Sequence, residues 1–246
     1  ALDCLDRVLD RCATRYEERL APAIPRIWKS EIESLRNDLR GWIRHVAERD
    51  ARWVPRWSEL AFGLPLGPDR DAQSSPEPAT VLDGASLRGS IDLVEVHADG
   101  HRLRVTDHKT GRVARDWDGR VLRDGGLVVA GGRVLQPVLY ALAAESLVGG
   151  SESGYEVEAG RLFYSTQRGE YTTLGVPLDE RARSSARSVL ESVDEAVERG
   201  FLPAAPAEGE CRWCDYRLVC GPYEELRTRR KPEGGVEPLV HLRGLR

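Results

Sequence analysis

From Pro25 to about Asp50 the apolar residues Ile27, Ile32, Leu35, Leu39, Trp42, Ile43 and Val46 form one stripe at helical spacing, which predicts an amphipathic helix. Residues 2–20 predict another helix before it. The stretch 54–62 predicts a strand, and 67–80, rich in Pro, Asp, Ser and Gly, predicts a loop, and a mobile one. Strand patterns follow near 80–87, 89–97 and 102–108, the last two joined by Asp99-Gly100, a hairpin signal. Residues 110–132 are polar and glycine-rich around Trp117 and predict a long loop, a length uncommon inside a domain unless it has a function. A helix is predicted from about 133 to 148, where Pro137 is tolerable because it falls in the first turn. Segments 159–166 and 170–177 alternate as a hairpin around Arg168-Gly169. Asp179 then suits the N-cap of a helix that ends at Gly200. There are no internal repeats.

Composition narrows this picture. A chain of 246 residues with 41% hydrophobic content can bury one large core, with or without appendages. A formal net charge of −4 argues against a purely electrostatic nucleic-acid binder, but not against a site where carboxylates hold metal and local arginines hold phosphate. No apolar run is long enough to span a membrane. No signal-like start is present, and the absence of methionine even at position 1 suggests a processed chain or a fragment of something longer. Five cysteines fit a secreted disulfide framework poorly and suggest a cytoplasmic setting. Three of them cluster as Cys211-x2-Cys214-x5-Cys220, a spacing that reads first as metal ligation.

The candidate chemistry centres on one lysine. The chain holds three lysines against thirty-three arginines, and Lys109 is kept in Val105-Thr106-Asp107-His108-Lys109-Thr110-Gly111. Lysine is a compact point charge, arginine a broad permanent fork, so the two are not interchangeable. Asp-x-Lys at a strand end suits a metal site beside a reacting phosphate. Asp92, in Gly89-Ser90-Ile91-Asp92, can meet Asp107 if the two strands pair, and paired carboxylates plus waters suit Mg²⁺. Glu59 is a charge in a largely apolar strand, and Gln136 and Tyr140 share one helix face.

Gly89-x-x-Asp92, Asp107-x-Lys109-Thr110-Gly111, Gln136-x-x-x-Tyr140 and the cysteine knuckle, in that order over roughly residues 50–222, resemble the PD-(D/E)xK nuclease superfamily, specifically the RecB/AddB-type exonuclease modules with an iron–sulfur cluster. The resemblance implies a restriction-endonuclease-like α/β core, a mixed β-sheet flanked by helices. The nuclease domain would cover 1–226, its knuckle about 205–222, with 227–246 a peripheral basic tail. Asp92 and Asp107 would ligate Mg²⁺ or Mn²⁺ with the backbone carbonyl of His108, and Glu59 would hold a metal water. Lys109 would orient or activate the attacking water, and Gln136 and Tyr140 would position DNA or the metal-bound water. A [4Fe-4S] cluster, or zinc as its rival, would take Cys211, Cys214, Cys220 and an upstream fourth thiolate. Cys12, in Cys12-x-x-Arg15-Tyr16, matches better than Cys4, though Ala13 replaces the family's proline. The family also carries a metal-binding histidine in a Gly-x-x-x-His run. Gly41-x-x-x-His45 has that spacing but lies only fourteen residues before Glu59.

The expected activity is metal-dependent DNA phosphodiester hydrolysis on single strands or duplex ends, as the exonuclease module of a recombination or repair protein joined to a helicase subunit or domain. The rivals are a non-catalytic DNA-binding or scaffolding module that kept the fold, and a zinc-knuckle binding protein in which the Asp107–Gly111 run is incidental.

Overall fold

The computed structural model describes residues 1–49, 51–117, 119–124, 128–149, 153–201, 203–206, 209–228, 230 and 236–245. Two helices come first, α1 (Leu2–Leu20) and α2 (Pro25–Arg49). The strands are β1 (Trp53–Phe62), β2 (Ala79–Val81), β3 (Ala85–Leu87), β4 (Gly89–His97), β5 (Arg102–Lys109), β6 (Glu156–Tyr164) and β7 (Thr173–Pro177). Helix α3 (Gln136–Val148) joins β5 to β6, and α4 (Glu180–Glu198), α5 (Arg217–Cys220), α6 (Glu224–Thr228) and α7 (Glu237–Gly244) follow β7. The main sheet has the order β1-β4-β5-β6-β7. Its pairs are antiparallel except β5–β6, which the α3 crossover makes parallel. This is the mixed α/β sheet flanked by helices that the sequence predicts.

The two sheet faces differ in chemistry. One is apolar and packs on α3: Val94, Leu103 and Val105 from the sheet meet Val138, Ala141 and Leu142, all buried. The approach is close because β6 has no side chain at Gly160, where a Cβ would lie 1.8 Å from the carbonyl oxygen of Pro137. Helix α4 adds Ala182, Ala186 and Val189 to this core. It is capped as predicted, the Asp179 side chain accepting from the Ala182 amide at 2.8 Å.

The other face, beneath α2, holds a buried polar cluster. Glu95 and Arg104, directly opposite each other in the β4–β5 register, pair through two hydrogen bonds of 3.0 and 2.9 Å. Thr106 donates to the same carboxylate at 2.7 Å, and Arg161 from β6 reaches both Thr106 and Glu95. One buried carboxylate therefore serves two guanidinium groups, which offsets the cost of bringing three charges out of water.

Several predicted boundaries shift. The segment 80–87 is not one strand but the short β2–β3 hairpin, a separate two-stranded sheet turned by a 3-10 element at Leu82–Gly84. Helix α3 starts at Gln136, not 133, after a 3-10 turn at Ala130–Gly132, and keeps Pro137 in its first turn. The end of the helix expected near Asp50 lies outside the described residues.

The loop expected to be mobile is bound to the free edge of β1. The Ala61 amide donates to Ser74 Oγ at 2.9 Å, the Ser75 amide to the Ala61 carbonyl at 2.9 Å, and the Gly63 amide to the Glu77 carbonyl at 2.8 Å. An edge strand exposes unpaired backbone groups, and this loop satisfies them. The tail from 227 is also more than peripheral. Leu242 and Leu245 pack against the core, and the Gly131 amide donates to the Leu245 carbonyl at 2.7 Å.

Replacing Glu95 by Gln leaves Arg104 and Arg161 beneath α2 without their carboxylate. The expected destabilisation is about 3 kcal/mol, read as a lower urea midpoint at unchanged slope. An unshifted midpoint would show that the cluster does not stabilise the fold.

Candidate active site

The site lies in a fork of the sheet. The β4–β5 ladder pairs run from Val96↔Leu103 to Leu93↔Thr106 and stop there. On either side, β1 stays paired with β4 as far as Phe62↔Gly89, and β6 with β5 as far as Lys109↔Tyr164. Where the ladder ends, the His108 amide has no carbonyl partner across the fork. The Asp92 carboxylate accepts it instead, Oδ2 at 2.7 Å. Asp92 is thereby tied to the residue that follows Asp107, and its carboxylate lies within electrostatic reach of Asp107.

Side chains alternate along β5, so Asp107 and Lys109 share the α3 face while His108 points to the other. Lys109 Nζ is 2.6 Å from the buried Asp107 Oδ2, an ion pair in which the ammonium is the cation closest to that oxygen. Asp107 Oδ1 accepts from Gln136 Nε2 at 3.0 Å. Burial pushes the Asp107 carboxyl above its ordinary value and nearby Asp92 adds to this, while Lys109 opposes it. Burial also lowers the His108 imidazole, whose ring packs edge-on against Trp42 at 5.6 Å.

The remaining candidates fare unequally. Gln136 faces the Asp107 carboxylate rather than open space, and Tyr140 packs edge-on against Phe62 at 6.3 Å, beside Gly89. Glu59 has a left-handed backbone (φ 53) and accepts from Arg70 at 3.1 Å and from Ser90 Oγ at 3.1 Å. Arg70 also donates to Ser90 at 2.7 Å, which places a guanidinium that the motifs do not include at Ser90, two residues before Asp92 in the chain. No sequence signal marks Arg70, which comes from the loop along the β1 edge.

His45 is not brought to the carboxylates. It stacks near Phe163 and Tyr171, at 5.2 and 6.1 Å, on the α2 side of the sheet. The Gly41 spacing has a packing reason instead, since a Cβ there would run into the Tyr171 hydroxyl.

Two carboxylates, Asp107 with its Oδ2 against the Lys109 ammonium, and a backbone carbonyl at His108 form an all-oxygen donor set that fits a hard divalent cation, which keeps waters in its remaining positions. The cysteines do not close in this way. Among the described residues no three His, Cys, Asp or Glu side chains gather where they could hold a metal ion. Cys4 and Cys12 are exposed on α1. Burial and the Glu225 carboxylate push the Cys211 thiol up, with Cys214 and Cys220 within electrostatic reach.

A family model for the PD-(D/E)XK nuclease superfamily matches residues 1–221. The chain belongs to the PD-(D/E)XK nuclease superfamily. No curated protein matches the chain. Membership makes this a nuclease domain in general terms, with nucleic acid as the partner class and divalent metal as the family's usual cofactor. Among the described residues no helix is long and apolar enough to cross a membrane.

The raised Asp107 carboxyl gives a prediction with a definite sign. A folded value above the unfolded one favours the folded state at low pH, and that contribution is lost as pH rises through the folded value. Metal-free Asp107→Asn should therefore be at least as stable as the parent near neutral pH, while losing metal binding. Thermal unfolding with and without Mn²⁺ reads both, and a large destabilisation of the metal-free variant contradicts the assignment.

Proposed function

We propose that this nuclease domain is a Mg²⁺- or Mn²⁺-dependent deoxyribonuclease, working as the exonuclease module of a recombination or repair helicase–nuclease. The observation that carries the catalytic part is the fork itself, with Asp92, Asp107 and Lys109 at its mouth and Gln136 on the Asp107 carboxylate. A bound divalent ion supplies Lewis acidity toward the phosphate and lowers the pKa of a coordinated water. Asp92 and Asp107 would hold the ion, helped by the His108 carbonyl. Gln136 fixes the Asp107 carboxylate plane by donating to Oδ1. Lys109 is partly open to solvent on the same face, where its ammonium can orient a water and offset charge on the phosphate in the transition state. Glu59 would act through a metal water only after releasing Arg70. Tyr140 would support the helix face that carries Gln136.

Labelled single-stranded DNA incubated with Mn²⁺ should be degraded by the parent protein. Lys109→Ala and Asp107→Ala should each lower the rate by at least about a hundredfold, the scale set by removing one group that stabilises transition-state charge. Equal behaviour of all three proteins would favour the non-catalytic, DNA-binding or scaffolding reading and end the nuclease proposal.

We further propose that Cys211, Cys214 and Cys220 bind a [4Fe-4S] cluster with Cys12 as fourth ligand, and Cys4 as the next candidate. Support comes from the knuckle spacing and from its position after the other motifs, not from the arrangement of the thiols in this conformation. Anaerobically purified protein should contain iron and acid-labile sulfide and lose both on Cys12→Ser. Zinc without sulfide would replace the cluster by the tetrathiolate zinc alternative.

A further inference from the structure

Beside the fork lies a groove that the carboxylates do not line. Its volume is about 810 Å³. One wall is the loop that follows Lys109, carrying Arg112, Arg115 and Arg123; the other is the β6–β7 turn, carrying Arg168. Among the described residues Asp124 and Glu170 are the carboxylates of its lining. Four guanidinium groups around one cavity stand out in a chain whose net charge is −4.

Three of these arginines are uncommitted. Arg112, Arg123 and Arg168 are exposed, and among the described residues none of them is in an ion pair. Some of the chain's other arginines are set against carboxylates, as with Arg36 on Asp6, Arg183 on Glu145 and Arg187 on Asp83; what distinguishes Arg112, Arg123 and Arg168 is that they line one cavity. Exposed arginines gathered around one cavity, none of them in an ion pair among the described residues and outnumbering its two described carboxylates, are binding groups suited to an anion.

The walls are built rather than loose. Leu122 is buried, and Val113 and Ala114 pack with it on Leu162, Tyr164 and Leu174. The Ala114 amide donates to the Tyr164 hydroxyl at 3.0 Å, and the Gly175 amide to Asp124 at 2.7 Å, which pins the loop to β7. The two walls converge at Gly111 and Gly169, where a Cβ on Gly169 would lie 2.9 Å from the Gly111 carbonyl oxygen. Gly111 is two residues past Lys109. Arg112 Cα can be no more than about 11 Å from Lys109 Cα, given the reach of three residues.

We propose that this groove holds the phosphate backbone of a single nucleic-acid strand running to the Asp92–Asp107 fork, a reading that rests on the nuclease assignment above. Arginines on both walls of one cavity enclose one backbone, and Asp124 and Glu170 beside them repel a second. A duplex would instead need a broad surface reaching across its grooves. Among the described residues no aromatic side chain lines the groove, so it reads backbone charge and is tolerant of sequence.

The test measures binding apart from cutting. In a Lys109→Ala background, affinity for a labelled single-stranded oligothymidine and for a duplex of equal length is followed over a salt series without divalent metal. Combined Arg112→Ala, Arg123→Ala and Arg168→Ala should weaken single-strand binding at least about tenfold. The slope of log affinity against log salt should shrink by about 2, at about 0.7 for each phosphate no longer neutralised. Arg7→Ala, Arg11→Ala and Arg26→Ala, which remove the same charge from the exposed surfaces of α1 and α2, should leave the slope as it was. Thermal unfolding shows whether each variant is folded.

An unchanged slope in the groove variant, an equal loss in the control, tighter duplex than single-strand binding, or no single-strand binding by the parent would each overturn the groove assignment. Parent protein that binds through the groove but cuts nothing with Mn²⁺ would sink the nuclease reading alone. Cutting that persists with an unchanged slope would sink the groove alone.

Discussion

The pairing of Glu95 with Arg104 fixes the register on which everything else depends. The two residues face each other across β4 and β5 with both carboxylate oxygens engaged, in a layer closed to solvent. A strand slip of one residue would move every side chain to the opposite face and leave a charge buried without its partner. The same register, read on the other face, brings Asp92 level with Asp107. A structural ion pair on the α2 side thus sets the distance between two carboxylates on the α3 side. The Asp92–His108 amide bond works in the same direction, because it closes the fork only when those two positions face one another.

The second constraint is the depth at which α3 sits. Gly160 lets the first turn of the helix settle onto β6, and that turn carries Gln136. A helix held further out could not put the Gln136 amide on a carboxylate belonging to the middle of the sheet. On the opposite edge the loop along β1 brings Arg70 to Glu59 and Ser90 while it satisfies the edge backbone. The fork is therefore bounded by a helix on one side and an edge loop on the other, both positioned by backbone needs that have nothing to do with chemistry.

Those two constraints separate what was legible in the sequence from what was not. Long periodic elements, the Asp99-Gly100 turn and the Asp179 cap are local signals, and they predicted α2, the β4–β5 hairpin and α4 closely. The nearness of Asp92 to the end of β5 was legible because a short hairpin connection sets the β4–β5 pairing. The partner of Gln136 was not, since it depends on how closely α3 can approach, and that is written in Gly160, twenty-four residues away. Arg70 was invisible for a similar reason, because a loop pinned along an edge has no periodicity to reveal where its tip lands. His45 shows the converse: the Gly41 spacing that resembles a family motif also has a packing cause in the close approach of Tyr171 to Gly41.

The choice of lysine at 109, in a chain that uses arginine almost everywhere else, now has a physical account. The Asp107 carboxylate is buried, already receives Gln136 on Oδ1, and must keep lone pairs directed into the fork if it is to hold a cation. A guanidinium at 109 would present a planar pair of donors that matches a carboxylate and tends to occupy both oxygens. An ammonium is a point charge; its approach to Oδ2 lowers the cost of burying the carboxylate while engaging one oxygen and not both. Just beyond, in the groove proposed to hold a negative backbone, the chain returns to arginine at 112, 115, 123 and 168. On the proposed reading, the change of cation over three residues separates a metal site that must share a carboxylate from a groove that must attract a phosphate.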